Sequence, residues 1–133
     1  METRTAIPVR FAETDAQGVV HHSHYPVWFE LGRTDLLERL GTHYAAWEAE
    51  GVRLVVTAMA FAFRAPARYG DTVEVVTRVA SVASRKLTFA YRVERAGLLL
   101  AEGTTDLVCT DLQGAIRTLP TDKRTLLQGA QIP

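Results

Sequence analysis

The chain has 133 residues, 47% hydrophobic and 23% charged, a composition that predicts one globular unit with a core of its own. Fifteen Lys and Arg balance 15 Asp and Glu, and a formal net charge of zero excludes a general binder of nucleic-acid phosphates, which needs a cationic excess. Cys109 is the only cysteine, no apolar run approaches the ~20 residues of a membrane span, and Met1 to Arg10 lacks the apolar core of a signal peptide, so a cytoplasmic protein is expected.

Thr3 to Phe11 has the composition of a strand, and Pro8 marks an edge position. The polar stretch Glu13-Thr14-Asp15-Ala16-Gln17-Gly18 follows as a turn that Gly18 permits. After Val19-Val20, the segment His21-His22-Ser23-His24 leads into a helix; Ser23 or His24 can cap it, and Pro26 suits its first turn. Apolar residues from Val27 to Leu40 cover more than one narrow stripe, which predicts a deeply buried helix, with Gly32 at a close approach of another backbone and Gly41 at its end. A shorter helix is predicted from Tyr44 to Glu50.

From Leu54 the period becomes two. Met59, Phe61 and Phe63 share one face of a strand within Leu54 to Arg68; Val73, Val75, Thr77 and Val79 share a face of Thr72 to Ser81; Leu87, Phe89, Tyr91 and Val93 repeat the pattern. Leu98 to Thr110 forms another strand, a short one lies around Ile116, and Thr121 caps a last helix through Leu127. One long helix followed by a meander reads as α+β, a sheet wrapped on a single helix, with residues 1–133 as one domain. The alanines at 58, 60 and 62 and the outward Val76, Leu99 and Leu107 predict that a second copy covers an edge or a face.

The stretch that carries chemistry runs from Arg10 to Arg33. It places Asp15 just before the amino end of the long helix, where unpaired N–H groups can receive an oxyanion. A carboxylate beside such a site has the parts for acyl transfer. The bland reading is that Asp15 only makes an Asx-turn. Two further arrangements compete: His22 and His24 with Asp15 as a metal-binding set, and a Ser23–His–Asp15 triad, for which the Gly-x-Ser-x-Gly elbow is missing. Cys109 reads as an inert buried thiol, Trp28 and Trp47 as packing, and Tyr25 as packing at the helix start. Glu30 and Arg33 read as an ion pair or as an anchor for the Asp15 loop, and Arg10 as a partner of Glu13 or Asp15.

The pattern Glu13-Thr14-Asp15-Ala16-Gln17-Gly18-Val19-Val20, Tyr25, then Phe29-Glu30-Leu31-Gly32-Arg33, resembles the 4-hydroxybenzoyl-CoA thioesterase-like branch of the hotdog-fold acyl-CoA thioesterases. Pro66-Ala67-Arg68-Tyr69-Gly70-Asp71 is a second, weaker match. The resemblance implies a hotdog fold, an antiparallel sheet wrapped around one long central helix, with the active site between the subunits of a homodimer or a dimer-of-dimers tetramer. It implies that Asp15 is the catalytic general base or nucleophile and that the backbone N–H of His22 is the oxyanion donor; Glu13, where the family usually has Asp, is given no catalytic role. Substrate contacts are expected from Gly18, Ser23, Tyr25, Thr57, Met59 and Arg68. Ser84, Arg85 and Lys86, at a predicted hairpin turn, are expected to meet phosphates. No metal and no cofactor are implied beyond coenzyme A as part of the substrate. Two alternatives stay open: a sister acyl-thioester hydratase or dehydratase, and a non-catalytic acyl-CoA-binding module.

Overall fold

The period-two segments form a five-stranded antiparallel sheet in the order β1-β3-β4-β5-β2, in a computed structural model that describes residues 1–131. β1 (Glu2–Pro8) and β2 (Arg53–Phe63) are the edges; β3 (Thr72–Val82), β4 (Lys86–Arg95) and β5 (Leu98–Thr110) fill the middle. The predicted inward residues of β3 and β4 are all buried, Val73 to Val79 and Leu87 to Val93 at every second position. Helix α1 (Tyr25–Arg39) lies on that face through Trp28, Phe29, Gly32, Leu36 and Leu37. Gly32 is where helix and sheet come closest: a Cβ there would run into Thr77 Oγ1 and Val75 Cγ1, so side chains of β3, rather than another backbone, forbid a larger residue. Helices α2 (Tyr44–Ala49) and α3 (Thr121–Ala130) close the far end of the sheet.

Several boundaries differ from the sequence expectation. β1 stops at Pro8, because the Val9 N–H turns to Asp71 and the Arg10 N–H to the Glu13 carboxylate, and Phe11–Glu13 is a single 3₁₀ turn. A second 3₁₀ turn, His22–His24, precedes α1. Neither Ser23 nor His24 caps α1 through its side chain; His21 caps the 3₁₀ turn ahead of it, its Nδ1 accepting from the Ser23 N–H at 3.2 Å. Val27 and Leu31 stay exposed on α1, so the helix buries one side only. Thr121 does not cap α3, which begins after Pro120 with no side-chain cap and runs on to Ala130. Ile116 makes one isolated bridge to Thr110 instead of a strand.

β2 departs most. Its alternation predicts a buried face, yet Val55, Val56, Met59 and Phe63 are exposed, because no strand lies beyond this edge and the ladder is bulged between Val56 and Ala58. Leu54 and Phe61 are half-buried and pack against the core, the Phe61 ring 5.3 Å from that of Phe29. No helix among the described residues is long and apolar enough to cross a membrane.

Candidate active site

The Asp15 loop is a tight excursion whose neck is a bridge between Thr14 and Val20. The Asp15 N–H donates to Val19 at 3.0 Å and the Gly18 N–H returns to the Asp15 carbonyl at 2.9 Å, a turn that requires the φ of +78° at Gly18. Asp15 Oδ1 accepts the Gln17 N–H at 2.8 Å, so the Asx-turn is real. It occupies one carboxylate oxygen; Oδ2 has no protein partner among the described residues. The loop is fastened on both sides, by the Val20 N–H on the Ala67 carbonyl at 2.8 Å and by the His21 N–H on the Glu13 carbonyl at 2.9 Å.

Glu13, two residues before Asp15, is 2% exposed and does a different job. Its Oε2 accepts the indole N–H of Trp28 at 2.9 Å, its Oε1 accepts the Arg10 N–H at 2.8 Å, and the Arg10 guanidinium stands 3.5 Å away. Burial alone would push this carboxyl up, but those hydrogen bonds and the Arg10 charge outweigh it and hold Glu13 below the ordinary carboxylate range. Glu13 therefore ties the loop to the first turn of α1. Sequence reasoning missed this role; its one signal is an acid placed between an arginine and a tryptophan. The alternative anchor fails, since Arg33 donates to the Tyr91 hydroxyl at 3.1 Å, which in turn pairs with Thr105 at 2.7 Å, and Glu30 is exposed with no ion pair among the described residues.

On the second side, the turn Pro66–Asp71 is closed by the Asp71 carboxylate, which accepts the Arg68 N–H at 2.8 Å and the Arg95 guanidinium at 2.9 Å. The Arg68 N–H is the main reason the Asp71 carboxyl sits below its usual range; desolvation opposes it and Arg95 adds to it. The closed turn presents the Ala67 carbonyl to Val20 and explains why this second motif accompanies the first.

Between the two lies an open groove of about 360 Å³ lined by Asp15, Gln17, Val19, Val20, His22, Tyr25 and the Phe63-to-Pro66 segment. The His22 N–H opens the helical run and donates to no acceptor among the described residues. The Ser23 N–H and hydroxyl, expected to contact substrate, are both engaged with His21. Tyr25 is buried against Trp28 and Phe63, and burial pushes its hydroxyl pKa up despite the charge of Arg95. Among the described residues no three His, Cys, Asp or Glu side chains converge as ligands, so His22, His24 and Asp15 do not form the competing set.

The remaining expected contacts lie elsewhere. Thr57 and Met59 are exposed on β2 outside the groove, and the Arg68 side chain points into solvent with no partner among the described residues. Ser84 and Arg85 occupy the turn after β3 and Lys86 opens β4, paired with Asp106 at 3.2 Å. The 11 residues of β3 separate this turn from the Asp15 loop, roughly 35 Å at the rise of a strand. Within one chain the two cannot touch the same small molecule's reacting end.

A family model described as "Thioesterase-like superfamily" matches residues 9–133. A putative acyl-CoA thioesterase, YneP, of Bacillus subtilis is 36% identical over 110 residues, 82% of this chain and 80% of that protein. The acyl-CoA thioester hydrolase YbgC of Escherichia coli is 36% identical over 119 residues, 88% of this chain and 89% of that one. Among solved structures, a hypothetical protein, TT1821, of Thermus thermophilus superposes with a TM-score of 0.94 at 48% identity, covering 100% of both chains.

Proposed function

The chain belongs to the thioesterase-like superfamily and has its hotdog fold, and from that premise we propose that it is an enzyme hydrolysing acyl-CoA to free acid and coenzyme A. The observation that supports the reading is local: Asp15, with one carboxylate oxygen unpartnered, and His22, whose N–H donates to no acceptor among the described residues, line the same groove. The thioester carbonyl oxygen is received by the His22 N–H at the head of the helical run, where the helix dipole adds to the field. Asp15 takes a proton from water as the water oxygen bonds to the carbonyl carbon. The tetrahedral oxyanion then collapses and expels coenzyme A as thiolate. A thiol with a pKa of ~8.5 leaves without help from a strong acid. Direct attack by Asp15, giving a mixed anhydride that water then opens, uses the same geometry, and a single turnover in ¹⁸O-water separates the two by label in the enzyme.

The enzyme acts as a cytoplasmic homodimer or dimer of dimers. The exposed apolar residues of β2 favour a second copy along that edge, and only across such an interface can Ser84, Arg85 and Lys86 reach the diphosphate of a substrate whose thioester meets Asp15. Thr57 and Met59, on the same exposed strand, contact the acyl group there.

Thiol release from a panel of acyl-CoAs tests this. Asp15→Asn keeps the Gln17 hydrogen bond through its amide oxygen and should lower the rate by about 10²–10⁴-fold. Undiminished thiol release removes the mechanism. Hydration of an enoyl-CoA, or binding without turnover, would replace the hydrolase by the hydratase or by the binding module.

A further inference from the structure

No Phe, Tyr or Trp among the described residues is more exposed than Phe11, at 73%, and Tyr69, at 64%, and the two touch. Their rings meet edge to face with centroids 5.7 Å apart and planes at 89°. They come from the two turns that flank the Asp15 loop. Phe11 opens the 3₁₀ turn whose carbonyl receives the Thr14 N–H at 3.0 Å, and Tyr69 sits in the turn that Asp71 closes. Both turns are fixed by engaged carboxylates, so the rings are presented on a stiff frame. At these exposures each ring keeps a face in water, and neither belongs to the core.

Each ring follows an arginine in the chain, Arg10 before Phe11 and Arg68 before Tyr69. The Arg68 side chain has no hydrogen bond or ion pair among the described residues, and the Arg10 side chain is 68% exposed although it lies 3.5 Å from Glu13. The acids of the two turns, Glu13 and Asp71, are already occupied. Exposed aromatic rings with one unpaired guanidinium, Arg68, and one exposed though ion-paired, Arg10, form the combination that receives a nucleobase and a phosphate. Phe11 lies four residues from Asp15, so the patch is within reach of a ligand whose other end occupies the groove.

Building on the thioesterase reading, we propose that Phe11 and Tyr69 form the stacking platform for the adenine of coenzyme A, with Arg68 and Arg10 meeting its ribose 3′-phosphate. The test compares an acyl-CoA with the N-acetylcysteamine thioester of the same acid, which lacks the nucleotide. Phe11→Ala and Tyr69→Ala should each raise KM for the acyl-CoA about ten-fold, while KM for the truncated thioester moves less than two-fold. Arg68→Gln should do the same, with an effect that fades at high salt. Adenosine 3′,5′-bisphosphate should compete with acyl-CoA in the wild type and lose about ten-fold in affinity in Phe11→Ala. Phe11→Trp, which retains a ring, should keep it. Equal losses on both thioesters, or an unchanged KM for acyl-CoA in both alanine variants, overturn the platform and leave the hydrolase standing. If the wild type hydrolyses neither thioester, the hydrolase reading falls instead, and titration with the bisphosphate alone still decides the platform.

Discussion

Each end of the sheet is closed by a charged residue against a tryptophan, and the two closures differ in kind. At the groove end Glu13 is buried and takes its hydrogen bonds from the Trp28 indole and from a backbone N–H. At the far end the buried Lys123 ammonium lies 5.6 Å from the centre of the Trp47 ring and pairs with two acids, Glu50 at 2.8 Å and Asp122 at 3.0 Å, whose side chains are largely in water. The far closure fastens α3 to α2 through ion pairs to Lys123, whereas Glu13 adds to its ion pair with Arg10 two hydrogen bonds that fix an indole and a backbone N–H. The groove closure uses a carboxylate to fix backbone, and in doing so leaves Asp15 with no cation engaged on it. The difference separates a clamp that only stabilises from one that also shapes a site.

Removing each clamp in turn should break the symmetry. Glu13→Ala leaves the Trp28 indole N–H and the Arg10 N–H buried without an acceptor and should cost about 3 kcal/mol of stability. Because the Asp15 loop then loses its tie to α1, thiol release should fall at least ten-fold at temperatures where the variant remains folded. Denaturant unfolding and thiol release on the same preparation check both. Glu13→Gln, which still accepts hydrogen bonds, should recover most of the activity. Lys123→Met keeps the apolar stem over Trp47 and loses two water-screened ion pairs and a cation–π contact. It should cost about 1 kcal/mol and leave kcat and KM within two-fold. A Lys123 variant that damaged activity as much as Glu13→Ala would mean that the far end also shapes the groove.

The same contrast explains what the sequence made legible. The alternation in Thr72–Val82 and Lys86–Arg95 is a direct statement of which side chains face α1, and every predicted inward position is buried. β2 carries an equally clear alternation, but alternation says only that two faces differ; it cannot say whether the chain itself supplies a cover. Asp15 and His22 belong to a motif whose residues are near one another in sequence, and both line one groove. In the sequence Glu13 is only a departure from the family pattern; its tie to Trp28 stays hidden because that partner lies 15 residues on and an indole N–H leaves no mark of polarity in a helix-core pattern. Ser84, Arg85 and Lys86 have the composition of a phosphate-binding turn, yet composition carries no distance, and the length of β3 stands between them and Asp15.

The smallest and most discriminating effect is the response of the two closures to pH. Glu13 is held below its ordinary value of 4.5 in the folded chain, so the stability it adds is fully present above that value and is lost as pH falls through the lower folded one. Lys123 is raised above 10.5, chiefly by its hydrogen bond to Glu50, so its contribution is present below 10.5 and is lost as pH rises through the higher folded value. Trp28 and Trp47 report on one closure each. In a Trp47→Phe background, Trp28 fluorescence should shift as pH falls below 4.5, and Glu13→Gln should remove that shift. In a Trp28→Phe background, Trp47 should respond above pH 10.5, and Lys123→Met should silence it. Asp122, also held low by Lys123, adds an acid response at the far end, but its side chain is exposed and the Trp47 signal should move less than that of Trp28. Acid signals of equal size from both tryptophans would show that protonation unfolds the sheet as a whole, and the distinction between a shaping clamp and a fastening one would be lost.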